Sequence, residues 1–191
     1  MRLNMEETIK NDIKQLLSEE RYEHSIRTSI KAVELAKRWN ENEKIAEITA
    51  LAHDMAKEMT KEQYIEYAKK HEINLSKEDI LIGVNLHGII AAKMCKEKYG
   101  FSEEMCSAIS YHTTGRVNMT LLDKIIYVAD KIEDGREYEG IEELRKLAFI
   151  DLDEVILQII NYNIQKSIKQ EKYIHSLSVM ARNEIMKNKK K

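Results

Sequence analysis

The stretch ITALAHDMAKEM, from Ile48 to Met59, decides how this chain is read. Ile45, Ile48, Leu51, Ala52 and Met55 recur at helical spacing and predict one apolar face. In the middle of that predicted helix His53 and Asp54 stand side by side, with Leu51 and Ala52 before them and Met55 and Ala56 after. A buried carboxylate without a partner costs on the order of several kcal/mol. Something must pair with Asp54.

Working outward, the period stays helical. Ile9, Ile13, Leu16 and Leu17 mark one face, and Ile26, Ile30, Val33, Leu35 and Ala36 mark a second after a break near Ser18. Thr60 with Gln63 reads as a capping box opening a helix to about Lys70. Asp151 with Glu154 opens another through Ile164, and Ser76 and Ser102 read as N-caps. Gly100 closes a helix as a C′ glycine, and Gly135 and Gly140 bracket a loop. No stretch alternates with a period of two. The expectation is all-α, about nine or ten helices in one domain across residues 1–191. An N-terminal helix over about 3–17 and a solvated basic tail over about 186–191 complete it.

Composition narrows the function. With 31 basic against 33 acidic residues, the chain lacks the basic excess of a general nucleic-acid binder. No window is apolar enough to span a bilayer, and MRLNMEETIK lacks a signal peptide's apolar core. A cytoplasmic protein is expected. Cys95 and Cys106 lack metal-type spacing and sit in apolar helical surroundings, so reduced core thiols are expected.

Further polar residues break the pattern as His53 and Asp54 do. His24 lies in RYEHSIRTS, His87 in VNLHGIIAA, His112 in AISYHTTGR and Asp130 in IIYVADKIED. Asp123 sits in a helix's first turn, where the dipole favours a carboxylate, and His71 and His175 have polar or terminal settings. Each alone is ordinary: a hydrogen-bonded core histidine, or an aspartate paired with Lys131. Together they offer a mixed nitrogen and oxygen pocket suited to iron, manganese or another first-row divalent ion. A bound cation would compensate Asp54 and hold His53 neutral.

The order His24, then His53–Asp54, then Asp130 resembles the signature of the HD-domain superfamily of metal-dependent phosphohydrolases. HDMAK (53–57), YHTTGR (111–116), LLDKIIYVADKIEDGR (121–136), GIEELRKLA (140–148) and IHSLSVMARN (174–183) are similar to the bacterial YqeK family of symmetrical diadenosine tetraphosphate hydrolases. This resemblance, from about Tyr22 to Asn183, implies an HD-domain helical bundle that binds iron and nucleoside diphosphate. The implied reaction cleaves diadenosine tetraphosphate between its central phosphates into two ADP. The resemblance implies His24, His53, Asp54 and Asp130 as metal ligands, with His87 and His112 near the phosphates and a second ion there left open. It implies nucleotide contacts at Arg21, Asp54, Met55, Ala56, Lys57, His87, His112, Thr113 and Arg136. A late segment, His175, Ser176, Leu177, Ser178, Val179 and Met180, would close over the nucleotide. The partner implied is a small nucleotide, with neither nucleic acid nor membrane; a homodimer stays open. Where relatives often carry proline, this chain has Ile89, Asp134 and Ser176, and it has no proline anywhere.

Phosphoanhydride hydrolysis needs an activated water and positive charge on the phosphoryl oxygens. Asp54 is placed to orient the water, and Lys57 and Arg136 to neutralise developing charge. His87 and His112 would bind phosphate, host a second ion or protonate the leaving ADP; the sequence does not choose. Against these roles stand a solvated Lys57 before Glu58 and an Arg136–Glu137 surface pair. Rival functions keep the pocket but change the substrate to dNMP, dNTP or (p)ppGpp, or make it a non-catalytic metal- or nucleotide-binding module. Lys57, Arg116 and Arg136 weigh against the last.

Overall fold

Leu122, Ile125, Ile126, Tyr127, Val128, Ala129 and Ile132 are each at most 1% exposed, so one twelve-residue helix is buried over most of its surface. Such a helix must be a core element, wrapped by others. The computed structural model describes residues 5–189 and wraps it in that way. Among the described residues the regular elements are eleven helices, one or two beyond expectation, and no strand. They are α1 (Met5–Leu16), α2 (Glu19–Trp39), α3 (Glu43–Ala52), α4 (Lys61–Lys70), α5 (Lys77–Ile82) and α6 (Leu86–Tyr99). There follow α7 (Glu103–Tyr111), α8 (Leu121–Ile132), α9 (Ile141–Leu147), α10 (Leu152–Lys169) and α11 (Ser176–Asn188). The core helix is α8, and α2, α3, α7, α9 and α10 pack on it. Outside these, α1 lies on α3, α4 on α6 and α11 on α10.

The predicted helix starts hold. Thr60–Gln63 and Ser76–Asp79 form reciprocal capping boxes, and Ser102 and Asp151 accept from Met105 N–H and Glu154 N–H. A third box, Thr120–Asp123, opens α8. There Asp123 is buried and also pairs with Arg116 at 2.6 Å, so Arg116, expected near the ligands, is engaged by a helix cap. The break at Ser18 is real, but its hydroxyl does not cap α2. Instead its N–H and Oγ–H donate to the Glu58 carboxylate at 2.8 and 2.5 Å. Gly100 adopts φ +71° at the end of α6 as a C′ glycine should.

Several expectations need correction. His53 and Asp54 are not mid-helix: α3 ends at Ala52 with His53 as its C-cap. The inward face of α2 carries His24, Ser25, Thr28, Lys31, Ala32, Leu35 and Ala36, while Ile30 is 51% exposed. Leu16 likewise turns outward, leaving Leu17 in the core. The last long helix runs past Ile164 to Lys169, and α11 carries the start of the expected tail through Asn188. Residues 3 and 4 of the N-terminal helix and residues 190 and 191 of the tail lie outside the described residues. His175 is not in an open terminal setting but is buried at the N-cap of α11.

Cys95 and Cys106 are free and buried, and burial raises both thiols. No helix among the described residues is long and apolar enough to cross a membrane. Because the inward face of α8 is packed by five other helices and Ile126 on it is fully buried, truncating that side chain leaves a void. Ile126→Ala should lose about 2–5 kcal/mol of stability, measured as a lower urea midpoint with an unchanged slope.

Candidate functional site

Helix ends converge on one side of α8. His53 is the C-cap of α3, His112 the C-cap of α7, and Asp130 lies in the last turn of α8. Three C-termini therefore point their partial negative charge at one place, which favours a cation there. His24 comes from α2 and His87 from the first turn of α6. Four imidazoles stand in a row, His24, His53, His112 and His87, with ring centroids 5.4, 4.9 and 4.9 Å apart.

After Ala52 the backbone tightens. Met55 N–H, Lys57 N–H and Met59 N–H donate to the carbonyls of Ala52, Asp54 and Ala56 at 3.1, 2.8 and 3.2 Å, all three residues back. With about three residues per turn, side chains three apart eclipse. Lys57 therefore stands over Asp54, Nζ to Oδ1 3.5 Å, instead of facing solvent before Glu58. Tyr64 donates its hydroxyl to the Ala56 and Lys57 carbonyls, and Glu58 is gripped by Ser18, so the turn is clamped from both sides. Met55 and Ala56 are buried at 2% and 1% exposure, beneath the turn.

The predicted ligands come together. His24 Nε2 lies 3.1 Å from Asp130 Oδ1 and 3.9 Å from Asp54 Oδ2; His53 Nε2 lies 3.6 and 3.9 Å from Asp54 and Asp130. His87 and His112 Nε2 reach Asp54 Oδ1 at 3.2 and 3.5 Å. His24 Nε2, His53 Nε2 and Asp54 Oδ1 are buried and make no aligned hydrogen bond. The outer nitrogens explain why. His53 Nδ1–H donates to Ala50 O at 2.6 Å and His112 Nδ1–H to Ile109 O at 2.7 Å, which leaves both Nε2 atoms as lone pairs facing inward. His87 Nε2 stands between two partners at 3.0 Å, the His112 Nε2 lone pair and the Lys57 ammonium. Two sets, His24–His53–Asp130 and His53–Asp54–His112, each hold three donor atoms within 4.8 Å of one another. Buried lone pairs, two carboxylates and three helix C-termini fit a divalent cation with nitrogen and oxygen ligands.

Charge states agree. Complete burial pushes the His53 imidazole down to about 3, and burial also pushes His87 down to about 4. For Asp54, burial acts upward, yet the carboxyl lies well below its usual range, with the permanent cations Lys57 Nζ and Arg21 Nη1 beside it at 3.5 and 3.6 Å. Burial of Asp130 is likewise outweighed, by Lys131 and His24.

Cationic side chains ring the carboxylates. Arg21 Nη1 lies 3.6 Å from Asp54, Lys131 Nζ 2.5 Å from Asp130, and Arg136 Nη2 2.8 Å from Asp130 Oδ1. Arg136 thus turns to Asp130, not to Glu137. Arg21, Lys57 and Arg136 are about one-third exposed (36%, 29% and 34%), so they form the rim between solvent and the buried centre. A cavity of about 100 Å³ beside His24 is lined by Arg21, Arg27 and Arg136. Thr113 Oγ1 lies 3.4 Å from His87 Nε2. The late segment is further out. His175 Nε2 meets Asp79 Oδ1 at 3.1 Å, Ser176 donates to Glu78, and Ser178 Oγ donates to Thr114 O at 2.9 Å. Leu177 is half-buried, and Val179 and Met180 are exposed.

Sequence reasoning missed Glu133 and Arg27. Glu133 Oε1 accepts from His24 Nδ1 at 3.1 Å, and Oε2 accepts from Arg27 Nε at 2.6 Å. Burial would raise the Glu133 carboxyl, but His24, Arg27 and Gly135 N–H hold it down to about 2. The available signal was spacing: Arg27 follows His24, and Glu133 follows Asp130, by three residues.

A family model described as "HD domain" matches residues 21–135. The chain belongs to the HD-domain family. This HD-domain chain is 38% identical over 162 residues to a Bacillus subtilis protein named "Bis(5'-nucleosyl)-tetraphosphatase, symmetrical", covering 83% of this chain and 84% of the relative. A Halalkalibacterium halodurans protein of the same name is 34% identical over 181 residues, covering 93% and 95%. A crystal structure from Clostridium acetobutylicum, described as a "predicted HD superfamily hydrolase involved in NAD metabolism", superposes with a TM-score of 0.92. It is 38% identical, with 95% of this chain and 97% of that one covered.

The His87–His112 contact depends on a close helix approach at Gly88. A Cβ there would lie 2.8 Å from Ile109 O and 3.1 Å from Ser110 O. Gly88→Ala should therefore force α6 off α7, with a loss of about 1–3 kcal/mol from overpacking. Thermal unfolding would report the destabilisation, and a crystal structure of the variant would show the two Nε2 atoms separated.

Proposed function

We propose that this chain is a metal-dependent phosphoanhydride hydrolase that cleaves diadenosine tetraphosphate symmetrically into two molecules of ADP. The observation that carries the reading is Asp54. Fully desolvated, it shares one donor set with His53 and His112 and lies within reach of His24, while Lys57 and Arg21 reach it from the solvent side. The names of the B. subtilis and H. halodurans relatives support the substrate.

In this reading His24, His53, Asp54 and Asp130 hold the ion, taken as iron on the resemblance and on the mixed donor set. Bound there, the cation supplies Lewis acidity toward water and phosphoryl oxygen. Asp54 orients the attacking water through its second oxygen. Lys57, Arg21 and Arg136 hold the phosphoryl oxygens and neutralise charge as the bridging bond breaks. His87 stands at the phosphate beside Lys57 and Thr113, whereas His112, locked by Ile109 O, offers a lone pair and fits a ligand role. The resemblance assigns the segment from His175 to Met180, tied to Thr114 through Ser178, to flank the bound nucleotide. Two free thiols fit a cytoplasmic, reducing setting.

Asp54→Ala should lose the metal found by elemental analysis of the purified protein and lose hydrolysis, with helicity by circular dichroism retained. Chromatography of the wild-type products should show ADP alone; ATP plus AMP would mean asymmetric cleavage, and full activity in the variant would end the hydrolase reading. Lys57→Ala should keep its metal but turn over about 10²–10³-fold more slowly, the usual cost of one removed electrostatic donor. Turnover equal to wild type would remove Lys57 from the mechanism.

A further inference from the structure

His53 and His112 are each oriented by a carbonyl three residues back, in the last turn of α3 and of α7, because each stands where a helix has just ended. His24 has no such acceptor nearby. It lies inside α2, whose carbonyls are occupied by the helix itself, and its own carbonyl also accepts from Thr28 Oγ1. A third residue must hold its outer nitrogen. That residue is Glu133, 2% exposed, at the C-cap of α8 where the backbone leaves the helix at φ −54° and ψ 157°.

Resting on the reading of His24 as a metal ligand, we propose that Glu133, braced by Arg27, is the positioning residue that keeps the His24 proton on Nδ1 and its Nε2 lone pair turned to the metal. Oε1 accepts from His24 Nδ1 at 3.1 Å, while Oε2 is fixed by Arg27 Nε and by Gly135 N–H, both at 2.6 Å. The opposite ring atom, Nε2, then lies 3.1 Å from Asp130 Oδ1 without an aligned hydrogen bond. A carboxylate behind a ligating imidazole fixes the tautomer and makes the ligand more basic.

The brace is built in advance. A Cβ on Gly135 would lie 2.6 Å from Arg27 Nη2 and 2.7 Å from Cζ, so a side chain there would displace the guanidinium from this position. Arg145 anchors the loop from beneath, donating to the carbonyls of Ile132, Glu133 and Arg136 at 3.0, 2.8 and 3.0 Å. Arg136 extends the same loop back to Asp130. One four-residue turn therefore sets both a histidine from α2 and an aspartate from α8.

The test is a titration of the metal-free chain with manganese(II), followed by the paramagnetic resonance of the free ion, together with imidazole ¹⁵N spectra that report which His24 nitrogen is protonated. Glu133→Ala, with helicity intact, should bind the ion about 10–100-fold more weakly and show His24 as a mixture of tautomers. Glu133→Gln, whose one oxygen is claimed by Arg27 Nε–H and Gly135 N–H so that its NH2 faces Nδ1, should bind the ion as weakly as Glu133→Ala and move the His24 proton to Nε2. Arg27→Ala should show a smaller loss in the same direction, and it carries the test should Glu133→Ala not fold. Wild-type affinity in Glu133→Ala and Arg27→Ala, with a single His24 tautomer, would overturn the proposal. Asp54→Ala separates the two readings. If it too keeps full affinity, the metal centre itself is wrong; if it loses the ion while Glu133→Ala does not, only the positioning role falls.

Discussion

Two carboxylates, Asp54 and Asp130, are removed from water within a few ångströms of the same two imidazoles. Each charge loses several kcal/mol of hydration, on the order expected for a buried ion after relaxation. Their mutual repulsion adds to that cost. A core of the same volume built from apolar residues would be at least as stable. The arrangement is therefore a functional one that the rest of the fold tolerates, and most of the architecture serves it. Helices α3, α7 and α8 end at it, α6 begins at it, and three cationic side chains reach it from the rim.

Orientation of the imidazoles is divided between two sources. The backbone orients His53 and His112, so those two are as fixed as the helix ends that carry them. A side chain from 109 residues away orients His24, so the third depends on how α2 meets the loop after α8. The same economy of backbone geometry explains the spacing of His53, Asp54 and Lys57. A tight turn of three-residue period puts the carboxylate and the ammonium on one side, which an ideal α-helix would place about 60° apart.

Much of this was legible in the chain. The out-of-pattern residues His24, His53, Asp54, His87, His112 and Asp130 do meet, because a polar residue in an apolar run is hard to reconcile with anything but a partner. Caps at Thr60, Ser76, Ser102 and Asp151 were readable because each is a local bond between neighbours. What failed was face and turn. On α2, Ser25, Thr28 and Ser29 donate their hydroxyls to carbonyls of their own helix, which lets them behave as small core residues. Ile26 still packs on the core with Leu35 and Ala36, and Ile30 is the residue that turned outward. The turn at His53 carries neither glycine nor proline, so nothing local marks it. Glu133 reads as a helix-end glutamate until its partner, distant in sequence, is known.

The contact between α5 and α11 has a thermodynamic corollary. Glu78 and Asp79 hold Ser176 and His175, and Ser178 holds Thr114, so the first turn of α11 is fastened by polar bonds. Farther along, Ala181 and Ile185 are buried where α11 packs on α10. Polar bonds of this kind exchange with water for roughly 0.5–1.5 kcal/mol each, while an apolar anchor does not. Fraying of this one turn would thus leave the hydrophobic interior sealed and every helix that carries a histidine of the centre intact.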